Sequence, residues 1–310
     1  MKQKLTNIKR KFLVSTPISL LIRKSKKISI FGFNGVSVFD VVSFFIQQLQ
    51  KSSLNERAAA IAFNMLMAIP PACIFLFTLI PFLPVEGFMN QLYELIKNVI
   101  PEEKIHTPLI SFFNDFTTHQ RNELLSFGFI LALFFSSNAM LGISRSFNKN
   151  YEGFVKRTAL HQRWVAIKLT LLLYILIILS ITALLTREVV LNWFGIKNEI
   201  LVSAIINARW VVVVLLYFFT ISFIYRYAPA VQKKWKLINA GSILATFVML
   251  LFTLIFTWWT VQFGNYNKLY GSIGTVLISM LLLFFNSLVL LIGFELNVSI
   301  NSLQKINPTK

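Results

Sequence analysis

Six stretches of this chain are predominantly apolar over more than twenty residues, and polar residues gather between them. They run from Ala58 to Leu83, Leu124 to Phe147, Trp164 to Leu185, Ala204 to Tyr225, Leu237 to Phe263 and Tyr270 to Ile300. A helix crosses a hydrocarbon core of roughly 30 Å with about 20 residues, so each run predicts one span. The sixth is longer than a crossing requires and should tilt or project past the bilayer. Two further segments carry helical periodicity without the length to span. In residues 37–50, Ser37 and Asp40 suit a helix start, and Val38, Val41, Val42, Phe45 and Leu49 then share one face. That pattern predicts an amphipathic helix on the membrane surface. The link 86–123 places Phe88, Leu92, Leu95, Ile96, Val99 and Ile100 at helical spacing before Pro101, and a second apolar set follows Pro108. It predicts two short helices over one mouth of the bundle, as interfacial packing or as a lid.

The fold class that follows is all-α, a polytopic membrane protein with about six transmembrane helices plus amphipathic surface helices. Residues 1–36 read as a basic tail, 37–302 as a single six-helix domain, and 303–310 as a second tail. Composition agrees. Hydrophobic residues make up 56% of the chain and charged residues 14%, against about 25% charged in soluble domains. Mean hydropathy is +0.68.

Net charge is +18, and its distribution sets an expected orientation. Residues 1–57, 148–163, 226–237 and the C-terminal tail hold 21 of the 30 lysines and arginines. The alternate links are poorer in bases and hold most of the acids, including Glu86, Glu94, Glu102, Glu103 and Asp115. Bases are retained on the cytoplasmic side, so both termini are expected there, in the inner membrane of a bacterium. Lysines and arginines confined to tails and short links do not form the folded basic face of a nucleic-acid binder. The expected partners are membrane lipids, through anionic headgroups at the cytoplasmic face, with a homo-oligomer or an envelope protein as further candidates.

Polar groups at membrane depth are costly and mark candidate sites. In the first run these are Arg57, Asn64 and the pair Pro70-Pro71, whose missing N–H donors predict a kink or break near Ala68. Either that bend is structural or it is a hinge beside a cavity. In the second they are Ser136, Ser137, Asn138 and Arg145, which suit stitching between helices. The sixth carries Asn286, Glu295, Asn297 and Asn301. Glu295 falls at the same level as Arg57, with Arg145 and Arg226 as other possible cations for it. A pair there is either a clamp or a coupling carboxylate. Trp164, Trp193, Trp210 and Trp235 stand at run ends and predict interfacial anchors.

Enzyme chemistry finds little support. Cys73 is the single cysteine, and His106, His119 and His161 are the only histidines, without ligand spacing to acids. There is no phosphate-binding glycine loop and no nucleophile elbow. No cofactor and no catalytic residue is expected.

Three stretches resemble the YihY/BrkB family of bacterial inner-membrane proteins. They are Arg57-Ala58-Ala59-Ala60-Ile61-Ala62-Phe63 leading to Ile69-Pro70-Pro71; Tyr225-Arg226-Tyr227-Ala228-Pro229 followed by Trp235-Lys236 and Gly241-Ser242; and Tyr270-Gly271-Ser272-Ile273-Gly274 through Gly293-Phe294-Glu295-Leu296-Asn297. The resemblance, across residues 40–302, implies a six-helix inner-membrane protein. Export, lipid handling and virulence-related resistance are attached to that family, and some members carry an old ribonuclease BN label. A metal-dependent ribonuclease needs a cluster of His and Asp that three scattered histidines do not supply. The expectation is a transporter or flippase-like protein for a lipid or other amphiphilic or small solute. The alternative is a non-transporting scaffold in envelope assembly.

Overall fold

A computed structural model of the chain describes residues 35–51, 53–79, 122–148, 154–185, 199–262 and 272–306, with isolated positions between 24 and 33 and between 93 and 111. Seven helices make up its named elements: α1 (Val38–Lys51), α2 (Leu54–Leu79), α3 (Asn122–Phe147), α4 (Ala159–Leu185), α5 (Glu199–Tyr227), α6 (Ala240–Gln262) and α7 (Ser272–Ile306). The fold is all-helical. Five of these helices, α3 to α7, are long and apolar enough to cross a bilayer. α2 has the length at 26 residues, but its first turn carries Asn55, Glu56 and Arg57, and the side chains of its last turns lie outside the described residues. The helices expected in 86–123, and Trp193, also fall outside them apart from a few positions.

Local chemistry sets the helix starts. Ser37 Oγ accepts the amide of Asp40 at 3.1 Å and donates to the Asp40 carboxylate at 2.7 Å, capping α1. Thr158 receives the amide of His161 at the start of α4. Asn239 caps α6 reciprocally with Ser242: its side-chain oxygen accepts the Ser242 amide at 2.8 Å, and Ser242 Oγ accepts the Asn239 amide at 3.2 Å. α5 stops at Tyr227 because Pro229 follows closely and disfavours helical geometry just before it.

Contacts between distant residues bring the starts of α2, α4 and α6 together with the ends of α3, α5 and α7. Ser144 donates to the Ala228 carbonyl at 2.9 Å. Residues 154–158 and 228–239 meet in an antiparallel bridge between Phe154 and Val231. The described base-bearing residues 154–163 and 226–237 and the start of α2 therefore share one end of the bundle, as alternating helices require.

The core is concentrated near this end. Phe147 and Phe294 stack with ring centroids 4.2 Å apart, and Tyr225 donates its hydroxyl to the Leu290 carbonyl at 2.7 Å. All three side chains are fully buried. α2 and α3 meet along Ala58, Ile61, Ala62, Ala68, Ala139, Met140 and Ile143, buried residues of which four are alanine. Small side chains let two backbones approach where lipid supplies no hydrophobic drive. Elsewhere many apolar side chains face outward. Between 22% and 33% of each spanning stretch is buried within the chain, while Leu254 is 69% and Phe247 66% exposed. In water so much continuous apolar surface would aggregate; hydrocarbon solvates it.

Three expectations change. α1 does not merely lie on a surface: Val41 is fully buried against Leu296 and Ile300 of α7, while Val42 and Ile46 point outward. α2 stays helical through Pro70 and Pro71 without a break, and Pro70 is exposed on its outer face. Trp235 is no interfacial anchor. It is buried against the Phe294 ring, with centroids 5.7 Å apart. Trp164 and Trp210 are exposed, as anchors should be.

Candidate functional site

The residues singled out above divide into groups around the basic end. Arg57, in the first turn of α2, donates to Glu295 Oε1 at 3.0 Å and also to the Ser146 carbonyl at the end of α3. Glu295 is fully buried and Arg57 is 19% exposed. One guanidinium thus joins α2, α3 and α7, using its fork of donors on a carboxylate and on a helix-end carbonyl that has no partner inside its own helix. Arg145 and Arg226 do not take this role. Arg145 is exposed. Arg226 lies over the Tyr227 ring at 5.8 Å, and its Nε is buried without a hydrogen-bond partner among the described residues.

Asn297 builds a second junction, between α7 and α6. Its amide donates to Asn239 Oδ1 at 2.7 Å, and its Oδ1 accepts the Gly241 N–H at 2.9 Å. That N–H is one of the unsatisfied donors at a helix start. The junction is close because residues 241 and 293 are both glycine, and a Cβ at either would overlap the other's backbone oxygen. Asn138 takes part in a third junction by accepting from Arg163, whose guanidinium also lies 4.6 Å from the Phe134 ring centre. Nearby, Ser136 hydrogen-bonds Tyr174 at 2.8 Å. Asn64 returns its amide to the Ala60 carbonyl at 2.7 Å within α2 and sits against Gly142 of α3.

Arg157 is a residue that sequence reasoning counted only as a charge. It donates to the carbonyls of Tyr227, Ala228 (3.0 Å) and Pro229 (2.8 Å), closing the C-terminal end of α5. Burial pushes its guanidinium below the ordinary arginine range. Its signal was the Tyr-Ala-Pro ending of α5, which strands carbonyls that need a donor. Asn239 was missed as well, although Asn-Ala-Gly-Ser ahead of an apolar run is a capping signature.

Above these junctions the interior stays polar in places. Asn286 Oδ1 on α7, Thr246 Oγ1 on α6 and Ser222 Oγ on α5 are buried and lack a hydrogen-bond partner among the described residues. Buried polar atoms are rarely left so. Asn286, Leu290, Gly293 and Asn297 recur at helical spacing on one face of α7. At the basic end, a cavity of about 600 Å³ opens between the 231–239 link and the last turns of α7.

Long apolar helices exposed outward, polar clasps inside and bases gathered at one end define a multi-pass helical membrane protein. The profile of the family described as Virulence factor BrkB matches residues 45–310, and the chain belongs to that family. It is 26% identical over 272 residues to YfkH of Bacillus subtilis, a protein described as ribonuclease-like, covering 86% of this chain and 98% of that one. It is 21% identical over 271 residues to a UPF0761 membrane protein of Tolumonas auensis, covering 84% and 85%. No solved structure matches it.

Proposed function

We propose that the protein is a transporter or flippase-like carrier of a lipid or another amphiphile in a bacterial inner membrane. In this reading the base-rich end and both termini face the cytoplasm, where the bases hold anionic headgroups. The observation that supports it best is the polar interior beyond the basic end. Asn286, Thr246 and Ser222 carry buried polar atoms, on three different helices, that lack a hydrogen-bond partner among the described residues. Such atoms are expensive in hydrocarbon, and they suit a path that a polar headgroup enters. The reading is non-enzymatic and has no cofactor.

Flux in liposomes tests it. Reconstituted protein should accelerate exchange of a short-chain fluorescent phospholipid between leaflets, followed by chemical quenching of the outer leaflet. Asn286→Leu should slow that exchange several-fold while the protein still elutes as a single species. Liposomes holding folded wild-type protein that exchange no faster than empty ones would remove the carrier reading. A scaffold in envelope assembly would then be favoured, and it draws support from the three interhelical clasps at the basic end. Such a scaffold should retain a stoichiometric partner on purification.

A further inference from the structure

We infer that the cavity at the basic end is a binding site for a phosphate-bearing group. This deepens the carrier reading by naming the headgroup chemistry, and it rests on that reading only for the direction in which the cavity faces.

The cavity is lined by Lys233, Lys234 and Lys236 from the link before α6 and by Lys305 from the last turn of α7. Among the described residues, no aspartate or glutamate lines it. Four ammonium groups around one concavity repel each other, and a protein lacking an internal counter-charge there gains from an anion that supplies one. The ammonium groups of Lys233, Lys236 and Lys305 form no hydrogen bond and no ion pair among the described residues. Lys234 is different: its Nζ lies 4.7 Å from the centre of the Tyr227 ring.

The floor is built rather than incidental. Asn239 and Asn297 are buried, locked to each other and to the start of α6. Asn301 is tied to the Asn297 carbonyl at 2.7 Å. Trp235 is held from behind by Phe294. The lysine-bearing link is pinned on both sides, by the Phe154–Val231 bridge and by the Asn239 cap. The backbone that carries the lysines is therefore set before any ligand arrives, which lowers the ordering cost of binding.

A phosphate monoester suits this site better than a carboxylate. It brings a charge near −1.5 to −2 and three acceptor oxygens to several separate donors, and lysine is an established point-charge partner for phosphate. The volume, about 600 Å³, lies within the ordinary range for small-ligand sites, roughly 300–1,000 Å³. It leaves room for more than the bare anion. The phosphate could arrive on a lipid headgroup, favoured by the exposed apolar Ile238 on the rim, or on a soluble metabolite.

Two matched pairs of probes separate these sources on the full chain in neutral detergent. Phosphatidic acid against phosphatidylcholine, read by native mass spectrometry, tests the lipid. Glycerol 3-phosphate against glycerol, read by calorimetry, tests the soluble group. At least one phosphate monoester should bind in preference to its matched control. At about 1 kcal/mol per base, Lys233→Gln, Lys236→Gln and Lys305→Gln together should weaken that binding about a hundredfold. Lys→Arg at the same three positions should restore most of it. Because these side chains are exposed and form no ion pair among the described residues, the glutamine variant should keep the wild-type melting temperature. Preference for the lipid alone, or for the soluble ester alone, supports the inference and fixes the source. Equal binding of both members of each pair, or unchanged affinity in the folded glutamine variant, overturns it. Phosphate binding without flux keeps the site and removes the carrier, whereas flux together with equal binding of both members of each pair keeps the carrier and removes the site.

Discussion

Gly293→Ala should prevent the chain from accumulating as a folded, monodisperse species in detergent, and Gly241→Ala should do nearly the same. A methyl group on Gly293 would overlap the Tyr225 hydroxyl and lie 2.8 Å from the Gly241 carbonyl oxygen and 2.9 Å from the Ala245 Cβ. One on Gly241 would overlap the Gly293 carbonyl oxygen and the Asn297 amide. These obstacles are mostly backbone or locked side chain, so no rotamer change relieves them. Overpacking a well-filled interior costs about 1–3 kcal/mol and occasionally more. Here α6 and α7 must separate, which also breaks the Asn239–Asn297–Gly241 clasp, so a loss above about 3 kcal/mol is expected. Gly142→Ala is the control. Its added methyl would meet the Asn64 amide at 3.0 Å, and a side chain on a less crowded helix face can turn aside. Melting curves followed by size exclusion should place Gly142→Ala near wild type and the other two far below. Equal stability of all three would show that α6 and α7 do not cross at these glycines.

Arg57→Ala should be the other severe change. It leaves Glu295 fully buried without the cation that faces it. Removing one member of a buried pair typically costs about 3–5 kcal/mol, because the remaining charge stays desolvated. Arg57 retains some exposure, which screens the pair, so the lower part of that range, about 3 kcal/mol, is expected. Glu295→Gln should cost less, since Arg57 keeps the Ser146 carbonyl and can still donate to a neutral amide. The double variant Arg57→Met with Glu295→Leu should recover most of the stability, because two apolar side chains of similar volume often replace a buried pair without loss. Thermal unfolding of wild type, Arg57→Met, Glu295→Leu and their combination closes the cycle and gives the coupling. A double variant as unstable as Arg57→Ala would place the cost in packing rather than in charge.

The spans were legible because their signal is local. Hydrocarbon demands a run of apolar residues, and the run from Leu124 to Phe147 became a helix over Asn122–Phe147. Ser37 and Asp40 announced α1 for the same reason, since a cap and its helix lie within one turn. What stayed hidden was which residues meet across the chain. Arg57 and Glu295 are 238 positions apart and Asn239 and Asn297 are 58 apart. The first pair was guessable from equal depth in the membrane; the second was not, because neither asparagine declares its face. Helix faces are poorly encoded here, as lipid accepts leucine on any side and the outer and inner stripes of α4 and α5 read alike. Gly241 and Gly293 were noticed as parts of a motif, without the reason for it: two backbones crossing so closely that a Cβ does not fit. The cavity at the basic end escaped for another cause. Its lysines read as topology markers, and only the folded link shows that they surround one space.

The account depends on the basic end of the bundle facing the cytoplasm. Labelling of single cysteines in intact cells measures this most directly, in a background where Cys73 is replaced by alanine. Cysteines placed at Lys156 and Gln232 should resist a membrane-impermeant maleimide in intact cells and react in inverted vesicles, and a cysteine at Asn267 should do the reverse. Reaction of Lys156→Cys or Gln232→Cys from outside intact cells, or opposite behaviour of these two, would contradict it.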